Sequence, residues 1–96
     1  MFEWDQWKAA ANLRKQGVSF DEAATVFADS EALDGPDVMH SAREERFLRL
    51  GRSLADRVLM VAYTLRGSGD VEKVRIISAR RASRKERASY RGDPPD

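Results

Sequence analysis

The chain has no cysteine. That excludes a disulfide scaffold, thiolate zinc and iron–sulfur sites, and a cysteine nucleophile. It has one histidine, His40, so a two-histidine nuclease mechanism and a multi-histidine metal cage are excluded too. Long apolar runs are missing. Val58–Ala62 falls far short of the roughly 20 residues that a membrane-spanning helix needs. The N-terminus, Met1-Phe2-Glu3-Trp4-Asp5, is acidic where a secretory signal would be basic. These absences predict a cytoplasmic protein with no membrane partner.

What remains is a 96-residue chain, short enough for one small domain with a thin core. With 42% hydrophobic and 34% charged residues it is too apolar to be disordered, yet rich in charge for a globule. The net charge of +1 hides an asymmetry. Residues 1–40 carry three bases against eight acids, and residues 41–96 carry 14 bases against eight acids. The basic half is concentrated at Arg80, Arg81, Arg84, Lys85, Arg87 and Arg91, a pattern that fits polyanion binding or a solvated helix face.

The local signals give an element order. Phe2 and Trp4 flank Glu3 in a short strand, and Asp5 is placed to cap a helix over 6–16 that Gly17 ends. Ser19 and Glu22 form a capping box for a second helix, with Phe20, Ala23, Ala24 and Phe27 on its core stripe. Strands are expected near 32–33, over 45–50, over 57–66 and over 72–80, with a turn at Gly67-Ser68-Gly69-Asp70. A second capping box, Ser83 and Glu86, opens a basic helix over 84–91. The order β-α-α-β-β-β-β-α predicts an α+β fold, an antiparallel sheet with helices on one face and the other face open. The domain is expected over 1–91, with 92–96 a frayed tail.

Register arithmetic then selects candidates. If Arg66 stands opposite residue 71 or 72, Tyr63 faces about Arg75 and Val58 about Arg80. If residue 50 faces about 57, Glu44 faces Tyr63 and Ser41 faces Arg66. His40, Ser41, Glu44, Tyr63, Arg66 and Arg75 would gather at one end of the sheet, with Arg80 toward the other. Such a set can bind a phosphodiester and move protons, or simply form surface ion pairs. Lys8 and Lys15 lie on a similar face of the first helix, where they contact phosphate or water. Trp4 and Trp7 are expected in the core. Asp34, Asp37 and His40 lack a calcium-loop pattern, and no metal is assigned.

The series Phe2-Glu3-Trp4-Asp5, Lys8-Ala9-Ala10-Ala11-Asn12 and Lys15-Gln16-Gly17-Val18-Ser19-Phe20-Asp21-Glu22-Ala23 resembles the opening of the BrnT family, ribonuclease toxins of type II toxin–antitoxin systems. The likeness continues through Val26-Phe27-Ala28-Asp29, His40-Ser41 with Glu44-Glu45-Arg46-Phe47, Gly51-Arg52-Ser53, Tyr63-Thr64 with Arg66, Arg75–Ala82, and Glu86-Arg87 with Tyr90. The resemblance implies a RelE-like fold and a toxin that cuts RNA without a metal or cofactor and halts translation. It also implies a BrnA-like ribbon-helix-helix antitoxin that binds in a heterotetramer and carries the contact to operator DNA. The family often has Lys-His-Gly before the second helix, where this chain has Lys15-Gln16-Gly17, and Trp7 stands where a small or polar residue is usual. On this reading Arg66 and Arg80 hold the phosphate, Glu44 or His40 is the general base, and Tyr90 or a lysine is the acid. Lys8, Lys15, Arg75, Arg81 and Arg84 hold RNA. The products are a 2′,3′-cyclic phosphate and a 5′-hydroxyl. The alternative is a decayed toxin that binds nucleic acid or protein without catalysis.

Overall fold

Five strands and three helices follow the expected order in the computed structural model, which describes residues 1–94. β1 (Phe2–Glu3) leads into α1 (Gln6–Gln16) and α2 (Phe20–Thr25), which a 3₁₀ turn extends through Val26–Ala28. β2 (Leu33–Pro36), β3 (Phe47–Arg52), β4 (Val58–Ser68) and β5 (Val71–Arg81) form the sheet with β1, and α3 (Arg84–Arg91) follows. The strand order is β1-β5-β4-β3-β2. The pairs β2–β3, β3–β4 and β4–β5 are antiparallel, whereas β1 is parallel to β5.

The helices form where the sequence caps them. Asp5 accepts from the backbone N–H of Trp7 and Lys8, and Gly17, at φ 69°, closes α1 in the left-handed region. Ser19 caps α2 by accepting from Glu22 N–H, but that capping box is only half formed. The Glu22 carboxylate instead takes Arg57 and the Ser53 hydroxyl, because a guanidinium fork is a stronger partner than a backbone amide. The Ser83–Glu86 box of α3 is complete. Gly92 and Asp93, placed by the sequence in the tail, donate the backbone bonds that close α3, and Pro95 and Asp96 lie outside the described residues.

The core lies between α2 and one face of the sheet. Val18, Phe20, Ala23, Val26, Leu59, Val61, Ile76 and Ala79 are buried together, with Trp4, Phe27 and Val74 packed against them. Trp4 meets Phe20 edge-on at 6.0 Å between ring centroids. Trp7, expected in the core, is 86% exposed. α1 turns Ala9 and Asn12 inward instead, and it is anchored by a polar contact. The Asn12 side-chain amide donates to the carbonyls of Val18 and Ala79 and accepts the Ala79 N–H, so it pairs with the edge of β5 as a strand would.

The register differs from the arithmetic in both hairpins. The β4–β5 turn is only Gly69-Asp70, with Gly69 at φ 63°, and Arg66 stands opposite Lys73. A bulge then leaves Ile77 unpaired, since Tyr63 faces Ile76 while Ala62 faces Ser78. Below it Arg80 faces Met60, not Val58. In the β3–β4 pair Leu50 faces Met60 and Phe47 faces Tyr63. The apolar set Leu59, Val61 and Tyr63 must point into the core, and that demand fixes the register.

Gly51 is needed for space. A Cβ there would lie 2.8 Å from Val26 Cγ1 and 2.9 Å from Ala32 Cβ. Gly51→Ala is expected to destabilise the chain by about 1–3 kcal/mol through overpacking, measurable by denaturant unfolding.

Candidate active site on the open face of the sheet

The ten residues between β2 and β3 shape the site. Asp37 N–H donates to the Arg46 carbonyl at 2.8 Å and extends the β2–β3 ladder by one rung. Beyond it a 3₁₀ turn, Val38–His40, brings His40 back over Asp37. Ser41 Oγ donates to the Asp37 carbonyl at 2.7 Å and accepts the Arg46 N–H at 3.0 Å, which ties the loop at its base. Thr64 of β4 donates to the Glu45 carbonyl at 2.6 Å and fixes the loop to the sheet.

This loop orients the only imidazole. His40 Nδ1 lies 3.0 and 3.1 Å from the two carboxylate oxygens of Asp37, which is 8% exposed. With Nδ1–H donating to Asp37, Nε2 is left as a proton acceptor. The side chain is 65% exposed, so solvent and ligands reach it.

Two adjoining hollows meet at His40 and Arg46. One, of about 430 Å³, is also lined by Arg43 and Glu44. The other, of about 510 Å³, lies on the sheet face away from the core, with Met60 and Ile77 in its wall and Arg80 and Gln16 at its margin. Glu44 sits 3.6 Å from Arg46 and 3.3 Å from Arg66 and so holds two guanidiniums together. The buried Nε of Arg46 has no hydrogen-bond partner among the described residues. Such an orphaned donor is costly unless something accepts from it.

Arg80 is held by its own clamp. Its two Nη groups donate to Glu86 Oε1 and Oε2 at 2.7 and 2.9 Å, and Glu86 also accepts the Ser83 N–H. The Arg80 guanidinium, helped by that backbone bond, holds the Glu86 carboxyl at a pKa of about 2 against the opposing effect of burial. A depressed folded value means that the clamp stabilises the chain fully above the ordinary carboxylate range. That stability is lost as pH falls through about 2. NMR titration of Glu86 is expected to show the low value, and Arg80→Ala to return it toward 4.5.

The expected constellation is therefore partly assembled. His40, Glu44 and Arg66 stand near one another through the loop, and Arg80 shares a hollow with His40. Tyr63 does not join them. It points into the core side, donates to Asp34 at 2.7 Å, and is pushed up to about 12 by burial and that carboxylate. Arg75 stands opposite Thr64 and pairs with Glu3 at 2.9 Å. Tyr90 is remote from His40. Its hydroxyl donates to Asp29 at 2.6 Å, its ring lies under Arg52, and the Asp29 contact raises its pKa, which makes it a poorer acid. Lys8, Lys15 and Arg84 are exposed, and Arg81 lines a separate cleft at the end of the sheet. Asp37 and Arg46, which the register arithmetic did not bring to this place, line the same hollow as His40. The signal for the first was the spacing Asp37-x-x-His40, one turn.

Among the described residues no three His, Asp, Glu or Cys side chains converge to hold a metal ion, and no helix is long and apolar enough to cross a membrane.

The fold is similar to the crystal structure of the Brucella abortus ribonuclease toxin BrnT, with a TM-score of 0.64 and 24% identity over 88% of this chain and 99% of that one. No curated protein matches the sequence. A family model described as the ribonuclease toxin BrnT of type II toxin–antitoxin systems matches residues 4–86, from α1 through β5 and into the first turn of α3. The chain belongs to the BrnT family of ribonuclease toxins.

Proposed function

We propose that the chain is a metal-independent endoribonuclease that inhibits translation, with its reacting centre at His40, Arg46 and Arg80. The observation that carries this reading is an imidazole held by a buried carboxylate beside two guanidiniums on one open face. His40 Nε2 takes the proton from a 2′-hydroxyl, whose oxygen bonds to the adjacent phosphorus. The P–O5′ bond breaks, and the 5′-oxygen leaves as a hydroxyl with a proton from water. A 2′,3′-cyclic phosphate remains. Arg46 and Arg80 donate to the phosphoryl oxygens as negative charge builds on them. Glu44 holds Arg46 and Arg66 in place, which favours His40 over Glu44 as the base.

The test is incubation of the partner-free chain with a defined RNA in excess EDTA, beside Arg46→Ala and Arg80→Ala. The parent is expected to leave cyclic-phosphate ends, and each variant to lose about 10²-fold or more in rate. Cleavage that stops in EDTA, or variants at the parental rate, would overturn the assignment. In cells the chain is expected to arrest growth. Co-expression of a ribbon-helix-helix antitoxin is expected to relieve that arrest.

A further inference from the structure

A second cleft, of about 330 Å³, lies where α3 meets the turn between β3 and β4. Five arginines line it: Arg52, Arg57, Arg81, Arg87 and Arg91. Three have carboxylate partners. Arg52 pairs with Asp56 at 2.8 Å, Arg91 with Asp93 at 2.9 Å, and Arg57 with Glu22. Arg81 and Arg87 have none within 4.0 Å among the described residues. Arg87 donates one bond to the Ala82 carbonyl, at 2.8 Å. Folding thus gathers five guanidiniums around one concavity, two of them without a carboxylate in direct contact among the described residues. Like charges brought together oppose folding, and a concave site concentrates their field on whatever enters.

The position of the cleft says what enters. Arg80 and Arg81 are successive residues of β5, so their side chains leave opposite faces of the sheet. Arg80 reaches the hollow that holds His40, and Arg81 reaches the cleft. The two concavities therefore meet at consecutive residues of one strand, with Arg80 in one and Arg81 in the other. Guanidinium forks match the paired oxygens of a phosphodiester.

We propose that this cleft is a phosphate subsite for the RNA strand, in which Arg81 and Arg87 hold a phosphodiester that flanks the one at Arg80. This rests on the reading of His40 and Arg80 as the reacting centre. The subsite holds and registers the substrate and takes no part in the bond-breaking step.

The test uses a fluorescent 2′-deoxy oligonucleotide, which has no attacking hydroxyl and cannot be cut by this route. Its affinity is measured against salt for the parent and for Arg81→Gln/Arg87→Gln. Loss of two phosphate contacts is expected to reduce the slope of log K against log salt by about 1.4, at roughly 0.7 per contact on a single strand. Arg81→Lys/Arg87→Lys is expected to restore the slope, and the matching unfolding midpoints of all three chains would show that folding is intact. A parental slope in the Gln variant, or no binding by the parent, would overturn the subsite. So would a Gln variant that loses only its grip on an acidic protein partner. A parent that binds the deoxy strand with the full slope but never cuts RNA would overturn the reacting centre and leave the subsite standing.

Discussion

His40→Ala is expected to lower the rate of RNA cleavage by about 10²- to 10⁴-fold, the usual worth of a positioned general base. The chain has no second imidazole to take its place. The nearest carboxylates are otherwise engaged: Asp37 accepts from the ring itself, and Glu44 lies between Arg46 and Arg66. RNA affinity should change little, because the arginines that face the phosphate remain. Single-turnover rates on a defined RNA separate the two effects. Added imidazole is expected to restore part of the lost rate to His40→Ala and none to Arg80→Ala, since it replaces a base and not a fixed cation. Asp37→Asn tests the supporting carboxylate. It leaves the volume unchanged but lets the ring turn over, so the rate should fall while the fold persists. A His40→Ala chain that cuts RNA at the parental rate would remove the imidazole from the mechanism.

Phe20→Ala is expected to cost about 3–5 kcal/mol of folding stability. Phe20 is 2% exposed and among the largest fully buried side chains, packed within a cluster that includes Leu59, Val61 and Ile76 and edge-on to Trp4. Removing the ring takes away its transfer free energy and leaves a cavity that Ala23 and Val26 are too short to fill. A chain of this length has only about 5–14 kcal/mol in total. The variant should therefore be near its unfolding threshold, with a thermal midpoint lower by at least about 12 °C. Denaturant and thermal unfolding measure both. A loss below about 1 kcal/mol would mean that α2 does not pack on the sheet as described.

The helices were legible because their signals are local. Asp5, Gly17, Ser19 and Ser83 act within a turn of where they stand, and each caps a helix in the structure. Strand pairing was not legible to the residue. The β4–β5 register depends on a two-residue turn and a bulge at Ile77, and nothing in the alternation of Val74–Ala79 announces an unpaired residue. Trp7 misled because a large aromatic in a small domain usually lies in the core, while α1 turns Ala9 and Asn12 inward and is anchored by the Asn12 hydrogen bonds. In the site, residue type pointed to His40, Glu44, Arg66 and Arg80. Asp37 and Arg46 come beside His40 only when the β2–β3 loop closes on itself, and Tyr90 is drawn off by Asp29, 61 residues away in sequence. Gln16, which stands where members of the family often carry histidine, lines the hollow with His40 and Arg80.

The pairing of the Asn12 amide with Ala79 bears on how this sheet avoids itself. Strand addition between molecules requires a long run of unpaired N–H and C=O groups. On the β5 side, β1 takes up Val74 and Arg75, and Asn12 takes up Ala79 under the cover of α1. On the other side, β2 is four residues long and ends on Pro36, which has no N–H to offer. Each edge thus offers a second copy only a short run of backbone groups, which works against sheets joining between molecules. A protein that restrains it finds little strand edge to pair with and more to hold in side chains and faces.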